Sequence, residues 1–318
     1  MSRNNVVIGI DTSNYTTSFA ALNEEDGDVL FNIKRLLPVK NGECGLRQSD
    51  AVFAHIKNLP LVMQEAKEAL SDKNIVAIGV SSKPRKLPNS YMPCFLTGVA
   101  VAESLSAACG APLFEFSHQC GHIMAAIHSS RSEELLKKKF GSFHLSGGTT
   151  ELLLTEFKNG DFSSEIVGGT KDINAGQLID RVGVMLDLQF PCGAELEKLA
   201  LNCDKKVKIP KINTNDCYIN LSGVENLAKK VYADTNDKEY TAAYVFEYLG
   251  EAILKVSQNY IANYGEMPIL YVGGVMSNKI IKEKISSRID SYFAEPRLSS
   301  DNAVGIAALA RNAYLFNR

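Results

Sequence analysis

Val6-Val-Ile-Gly-Ile-Asp-Thr-Ser-Asn-Tyr-Thr-Thr-Ser-Phe-Ala-Ala-Leu22 starts as an apolar run, breaks at a polar turn over Asp11–Thr17 and resumes as a second strand from Ser18. Asp26-Gly27-Asp28 offers the next turn and Val29–Ile33 the next strand, so the opening reads as a three-strand meander. The same plan returns at Phe143-His-Leu-Ser-Gly-Gly-Thr-Thr-Glu-Leu-Leu-Leu154, where a strand meets a turn of Ser, Gly and Thr and a second strand leaves it. Asn159-Gly160 then supplies a hairpin turn, with a third strand over Ser163–Val167. Each meander is followed by helical patterns and a short buried strand, Asn74–Val80 in the first half and Pro268–Val272 in the second. The repetition predicts a duplicated α/β protein, with a ligand cleft between two lobes.

Outward from those two stretches, apolar periodicity predicts helices near 49–70, 95–109, 175–186, 194–201, 224–232 and 239–264, another after Asn278, and a last one from about 301 to 316. The lobes are expected at 1–115 and 116–300, with the C-terminal helix (about 301–318) packing back on the first. The chain has 318 residues, 45% of them hydrophobic and 22% charged, which excludes disordered and coiled-coil classes. A net charge of -2 argues against holding nucleic acid alone through one broad basic face. No apolar run reaches the roughly 18 residues of a membrane span, and no secretory leader is evident, so a cytoplasmic protein without membrane contact is expected. The seven scattered cysteines include no CxxC pair and read as reduced thiols.

Three motifs carry chemistry. His118-Gln-Cys-Gly-His122 places two imidazoles four residues apart, on one face of a helix, where they can converge on one ion; two surface or capping histidines have the same spacing. Imidazole suits zinc and iron alike, and His128, about 240° further round, points elsewhere. Ser146-Gly-Gly-Thr-Thr150 allows successive backbone amides to form an anion nest, or is a plain hairpin turn. Gly273-Gly-Val-Met-Ser-Asn278 follows a buried strand into a helix, a geometry suited to phosphate or ribose, in which Asn278 is equally a simple N-cap. Walker, GxGxxG, HExxH and GxSxG signatures are absent.

In this order the motifs resemble the actin/Hsp70/sugar-kinase (ASKHA, ribonuclease H-like) superfamily, and within it the tRNA threonylcarbamoyl-transferase family TsaD, also known as glycoprotease or peptidase M22. The resemblance runs through Ile8–Ser13, Thr97–Leu105, His118–His122, Leu145–Gly148, Asn174–Asp180, Phe190–Gly193, Glu195–Ala200, Leu221–Gly223, Gly273–Asn278 and Ser300–Ala303. It implies one divalent ion, Fe2+ or Zn2+, on His118, His122 and Asp301. It implies nucleotide binding, as adenylate or ATP/ADP, by Leu145, Ser146, Gly147, Gly148, Thr149, Asp180, Gly193, Glu197 and Asn278. Asp11 matches an acidic residue near the reacting carbamate. The implied reaction moves threonylcarbamoyl from threonylcarbamoyl-AMP to an anticodon-loop adenosine of tRNA, with a homologous TsaB-like subunit and a TsaE-like ATPase as partners.

The chain also departs from the family pattern. A Gly-Pro-Gly stretch is replaced by Ser81-Ser-Lys-Pro-Arg-Lys-Leu-Pro88, a histidine by Thr149, a glutamate by Gln177, and an aspartate by Glu197; Thr-Ser-Cys-Asp-Glu becomes Thr12-Ser-Asn-Tyr-Thr16. Lys83, Arg85 and Lys86 are candidates for an anionic acceptor or a solvated loop. These departures leave open a divergent paralogue that scaffolds or regulates, or a related carbamoyltransferase or ATPase with another acceptor.

Overall fold

The computed structural model describes residues 4–13, 15–38, 46–295 and 303–318. Its strands and helices run β1 (Asn5–Ser13), β2 (Thr16–Asn23), β3 (Val29–Leu36), α1 (Gln48–Leu70), β4 (Asn74–Lys83), α2 (Phe95–Cys109), β5 (Leu113–Ser117), α3 (His118–Ser130), β6 (Phe140–Leu145), β7 (Thr150–Lys158) and β8 (Asp161–Thr170). They continue as α4 (Ala175–Met185), α5 (Gly193–Leu201), β9 (Tyr218–Ile219), α6 (Ser222–Thr235), α7 (Lys238–Tyr264), β10 (Ile269–Val272), α8 (Lys279–Ser286), β11 (Ser291–Phe293) and α9 (Val304–Phe316).

The two sheets repeat one strand order. The first is β3-β2-β1-β4-β5, and the second is β8-β7-β6-β10-β11 with β9 added beside β8. In the first, β1 pairs antiparallel with β2 and parallel with β4; in the second, β6 pairs antiparallel with β7 and parallel with β10. The duplicated α/β plan read from the two meanders is therefore present, strand for strand.

Contacts divide the chain into two units, one comprising the described residues of Met1–Lys137, Glu156–Ser163 and Arg297–Arg318, the other Lys138–Thr155 and Ser164–Pro296. In the first, Ile8, Ile10, Phe19, Ile78 and Val80 of the sheet bury against Leu59, Val62 and Ala66 of α1 and Ala102 of α2. In the second, Phe143, Leu145 and Tyr271 pack with residues of α4 to α8, including the long α7, whose Asp237 side chain caps it by accepting from Tyr240 N. Such alternating apolar faces supply the main driving force for both cores.

Close approach by α9 requires glycine beneath it. A Cβ on Gly9 would stand 2.5 Å from Ala303 O and 2.6 Å from Ala307 N, and one on Gly79 2.7 Å from Ile306 O, so β1 and β4 admit the helix directly onto backbone. Gly305 meets the backbone of α3 at Gly121 in the same way. Several sequence boundaries shift. Strand β4 continues to Lys83, so the basic segment begins inside the sheet, and a 3-10 turn over Gly274–Ser277 precedes α8. Among the described residues, no helix is long and apolar enough to cross a membrane.

Candidate functional site

In the first unit the site begins where β5 runs into α3. Ser117 is extended (φ -82°, ψ 149°) and its hydroxyl accepts from Cys120 N, an N-cap that starts the helix at His118. His118 and His122 are therefore one turn apart, and their Nε2 atoms approach to 3.0 Å. The other nitrogen of His118, Nδ1, lies 2.9 Å from Oδ1 of Asp11, which is fully buried at the end of β1. The Ser81 hydroxyl of β4 donates to the same oxygen, while Oδ2 is buried with no hydrogen-bond partner. Asp301 lies outside the described residues, and among those described no three His, Cys, Asp or Glu side chains form a metal cluster.

That pair fits a metal ion. Two imidazole nitrogens that face each other across one helical turn are a donor set suited to zinc or iron; tetrahedral ligands about 2.1 Å from one ion stand about 3.4 Å apart, near the present 3.0 Å, which is also a hydrogen-bond distance. Cys120, between the two histidines in sequence, is two residues from each and so about 200° round the helix from both. Its sulfur accepts from Ser117 Oγ, and burial pushes the thiol up to about 11.

The basic segment 81–88 is fixed rather than loose. Pro84 O accepts from Gln119 N at 3.0 Å, Arg85 N donates to Ser90 Oγ, and Lys86 Nζ donates to Asp161 and to Phe162 O. Lys86 thus spends its charge on a carboxylate of the β7–β8 hairpin tip.

In the second unit, the turn after β6 closes through Ser146 N to Thr149 O at 2.8 Å. Ser146 Oγ accepts from Gly148 N and Thr149 N at 3.3 and 3.1 Å, so two amides of the expected nest are engaged by a hydroxyl. Gly147 and Gly148 face open space. A Cβ on Gly176, at the start of α4, would fall 2.6 Å from Gly147 N, and one on Gly273 (φ +102°) would collide with Leu145 O. These glycines hold the turn, the α4 N-terminus and the end of β10 in backbone contact.

Around that turn the other expected residues take hydrogen-bonding roles. Asp180 Oδ1 accepts from Cys192 N at 2.8 Å, fixing the entry to α5 beside Gly193. Glu197 Oε1 accepts from Lys279 N at 2.7 Å, and Asn278 Oδ1 caps α8 by accepting from Ile281 N at 3.0 Å. Asn278 is an N-cap, yet its Nδ2 is buried with no hydrogen-bond partner, a donor left over after the capping role. A cavity of about 600 Å3 near Lys138, Pro268 and Arg288 lies instead at the N-terminal ends of β6 and β10. In parallel α/β sheets ligands sit at the opposite, C-terminal ends, where Ser146 and Gly273 are.

A family model described as TsaD, tRNA N6-adenosine threonylcarbamoyltransferase, matches residues 41–308. The chain belongs to the TsaD family. A Thermotoga neapolitana protein named tRNA N6-adenosine threonylcarbamoyltransferase is 27% identical over 312 residues, covering 95% of this chain and 92% of its own. A Thermosipho africanus protein of the same name is 29% identical, covering 97% and 94%. Among solved structures, T. kodakarensis HypF aligns with a TM-score of 0.62 at 12% identity, over 98% of this chain and 48% of its own. Component A of the Acidaminococcus fermentans (R)-2-hydroxyglutaryl-CoA dehydratase aligns at 0.55 and 14%, over 98% and 99%. These structures share the actin-like ASKHA fold.

Within a TsaD-family chain, two departures keep their local hydrogen bonding. Gln177 closes a capping box with Asn174, its Oε1 accepting from Asn174 N at 3.0 Å, a role glutamate fills equally. Glu197 reaches the α8 amide described above. Sequence reading missed Ser81 and the buried His55, whose ring joins Thr17 Oγ1 at 2.8 Å and Ser13 O at 2.9 Å. His55 shares the buried face of α1 with Ala51, Leu59 and Val62, a pattern visible in the sequence; Ser81 carried no such signal.

Proposed function

We propose that this chain moves a threonylcarbamoyl group from threonylcarbamoyl-AMP to the exocyclic amine of an anticodon-loop adenosine in tRNA. The family match over residues 41–308 carries the reading, and the convergence of His118 and His122 supports a working site. In the reaction the amine nitrogen bonds to the carbamoyl carbon, the bond from that carbon to the phosphate oxygen of AMP breaks, and AMP departs with the electron pair while the amine loses a proton. The amine is a poor nucleophile because its lone pair is delocalised into the purine, so positioning and stabilisation of developing charge do the catalytic work.

His118 and His122 would hold an iron or zinc ion, with Asp301 as the carboxylate ligand. Such an ion, when bound, supplies Lewis acidity toward a carbonyl or phosphoryl oxygen. The Leu145–Thr149 turn would receive the adenylate phosphate, which takes the two amides now engaged by Ser146 Oγ. Asp180 and Asn278 would contact ribose, Asn278 through its unpartnered amide nitrogen. Gly193, with only Ile179 near its Cβ position at 4.0 Å, leaves the base access to backbone, beside Glu197. With a net charge of -2, tRNA affinity would come largely from partners, a TsaB-like subunit and a TsaE-like ATPase, in the cytoplasm.

The test incubates the chain, with candidate partners, threonylcarbamoyl-AMP and unmodified tRNA, and measures threonylcarbamoyladenosine after nuclease digestion. Product is expected. Its absence where an established family member works under the same conditions overturns the reading.

A further inference from the structure

We propose that Asp11 is a positioning residue that acts on the metal site through His118, with Ser81 holding Asp11 in turn. The inference rests on the metal assignment above and adds a role for Asp11 within it: Oδ1 of the carboxylate faces an imidazole. Three observations carry it. Asp11 is fully buried. Its Oδ1 is committed twice, to His118 Nδ1 at 2.9 Å and to the Ser81 hydroxyl. Ser81 comes to it by strand register, because β1 and β4 run parallel with Ile10 opposite Val80, one residue before each partner.

The chemistry follows from the ring. Nδ1 and Nε2 lie on opposite edges of an imidazole, so a carboxylate bonded at Nδ1 is kept off any ion bound at Nε2. When Nδ1–H is donated to Asp11, the neutral ring carries its lone pair on Nε2, the atom 3.0 Å from Nε2 of His122. His122 can donate to that lone pair, and the same lone pair is the one His118 would offer to a cation. Asp11 therefore selects the tautomer that can ligate and fixes the ring plane, as carboxylates behind metal-bound histidines do. Ser81 keeps the carboxylate from rotating away.

The experiment uses the full chain and zinc or cobalt ions alone, so it does not depend on transfer activity. Zn2+ affinity is measured by competition with a chromophoric chelator, Co2+ coordination by visible absorption, and folding by circular dichroism. Asp11→Asn presents an amide that can donate to Nδ1 and move the ring proton to Nε2. It should bind Zn2+ roughly 10–100-fold more weakly and change the Co2+ spectrum. Ser81→Ala should weaken binding in the same direction by less. A folded Asp11→Asn protein with unchanged affinity and spectrum overturns the proposal, provided that the His118→Ala/His122→Ala protein has lost the ion. Retention of the ion by that double variant would instead remove the metal assignment, and this proposal with it. Should Asp11→Asn fail to fold, Ser81→Ala decides, and an unchanged affinity there is equally fatal.

Discussion

Gly305→Ala should be among the most damaging single-methyl additions in the first unit. Gly305 is the second residue of α9, and its ideal Cβ falls deep inside contact distance of the Gly121 carbonyl oxygen and 2.8 Å from Ala125 N, both backbone atoms of α3. Carbon–oxygen contacts settle at about 3.3–3.6 Å, so the helices would have to part by on the order of 1 Å or more. Movement of α9 the other way is blocked where Ala303 O, Ala307 N and Ile306 O lie against Gly9 and Gly79. Overpacking typically costs about 1–3 kcal/mol, and a clash of backbone on both sides belongs at the upper end, so we expect ~3 kcal/mol. At roughly 2–4 °C per kcal/mol for a unit of this size, Tm falls by about 6–12 °C. Gly121→Ala is the internal control, because its Cβ meets Ile306 Cδ1 at 2.8 Å, the end of a side chain that can turn at a cost of about 1 kcal/mol. Thermal melts followed by circular dichroism compare the two. A Gly305→Ala protein that melts within 2 °C of the parent, or above Gly121→Ala, would refute the packing argument (a threshold of about half a kcal/mol on the same scale).

Two pH effects follow from single buried or bonded groups. Burial pushes the His55 imidazole below its ordinary range, against the opposing pull of the Ser13 carbonyl and the Asp11 charge. The unfolded chain then takes up the proton first, so stability is greatest above about 6.5 and declines as pH falls through that value towards the lower folded pKa. His55→Gln should flatten this decline between pH 7.5 and 5.0 in thermal melts; equal declines would contradict it. Asp172 behaves as a cap for α6, and although burial works the other way, hydrogen bonds from Ser222 Oγ, Leu221 N, Ser222 N and Ile173 N hold its carboxyl well below the usual carboxylate range. Its contribution is present above about 3.9 and lost as pH falls below that value. Asp172→Ala should cost about 1 kcal/mol at pH 7, as loss of a cap does, and less at pH 3, read from urea midpoints; a pH-independent difference would contradict the bonding.

What the sequence makes legible is local. The apolar runs at Val6 and Phe143, the polar turns after them and the later buried strands are periodic patterns within a few residues, and they carry the duplicated sheet order. The helix 95–109 is bounded in sequence by Pro93 before it and Gly110 after it, the latter at φ +68°. Contacts made across long separations are not legible. Asp11 and His118 are 107 residues apart and Asp11 and Ser81 are 70 apart, joined only because β1, β4 and β5 lie side by side in parallel and α3 begins where β5 ends. The two-residue β9 exists because Gly169 and Thr170 find Tyr218 and Ile219 as partners, which no propensity over two residues announces. Spacing alone put the ligand reading of the histidine pair only slightly ahead of a pair of surface or capping histidines; the fold adds that the two Nε2 atoms approach to 3.0 Å.

Departures from the family pattern also sort by physics. Gln for Glu at 177 preserves an acceptor for the Asn174 amide, because the capping box uses one side-chain oxygen and either residue has it. Glu at 197 adds a methylene and still accepts from Lys279 N. Neither change removes a hydrogen bond at the α4 or α8 N-terminus, so the second unit keeps its architecture around Ser146–Thr149. The 81–88 segment is different in kind. A Gly-Pro-Gly stretch can bend at two residues without a Cβ, whereas here Pro84 O and Lys86 Nζ are tied to the α3 backbone and to Asp161. The backbone tie ends on Gln119, next to His118, so the segment is anchored to the first turn of the helix that carries both imidazoles. The N-terminal end of α3, which carries both histidines, is restrained from three directions: the Ser117 cap, the Asp11–Ser81 pair behind His118, and the Pro84 carbonyl over its first turn.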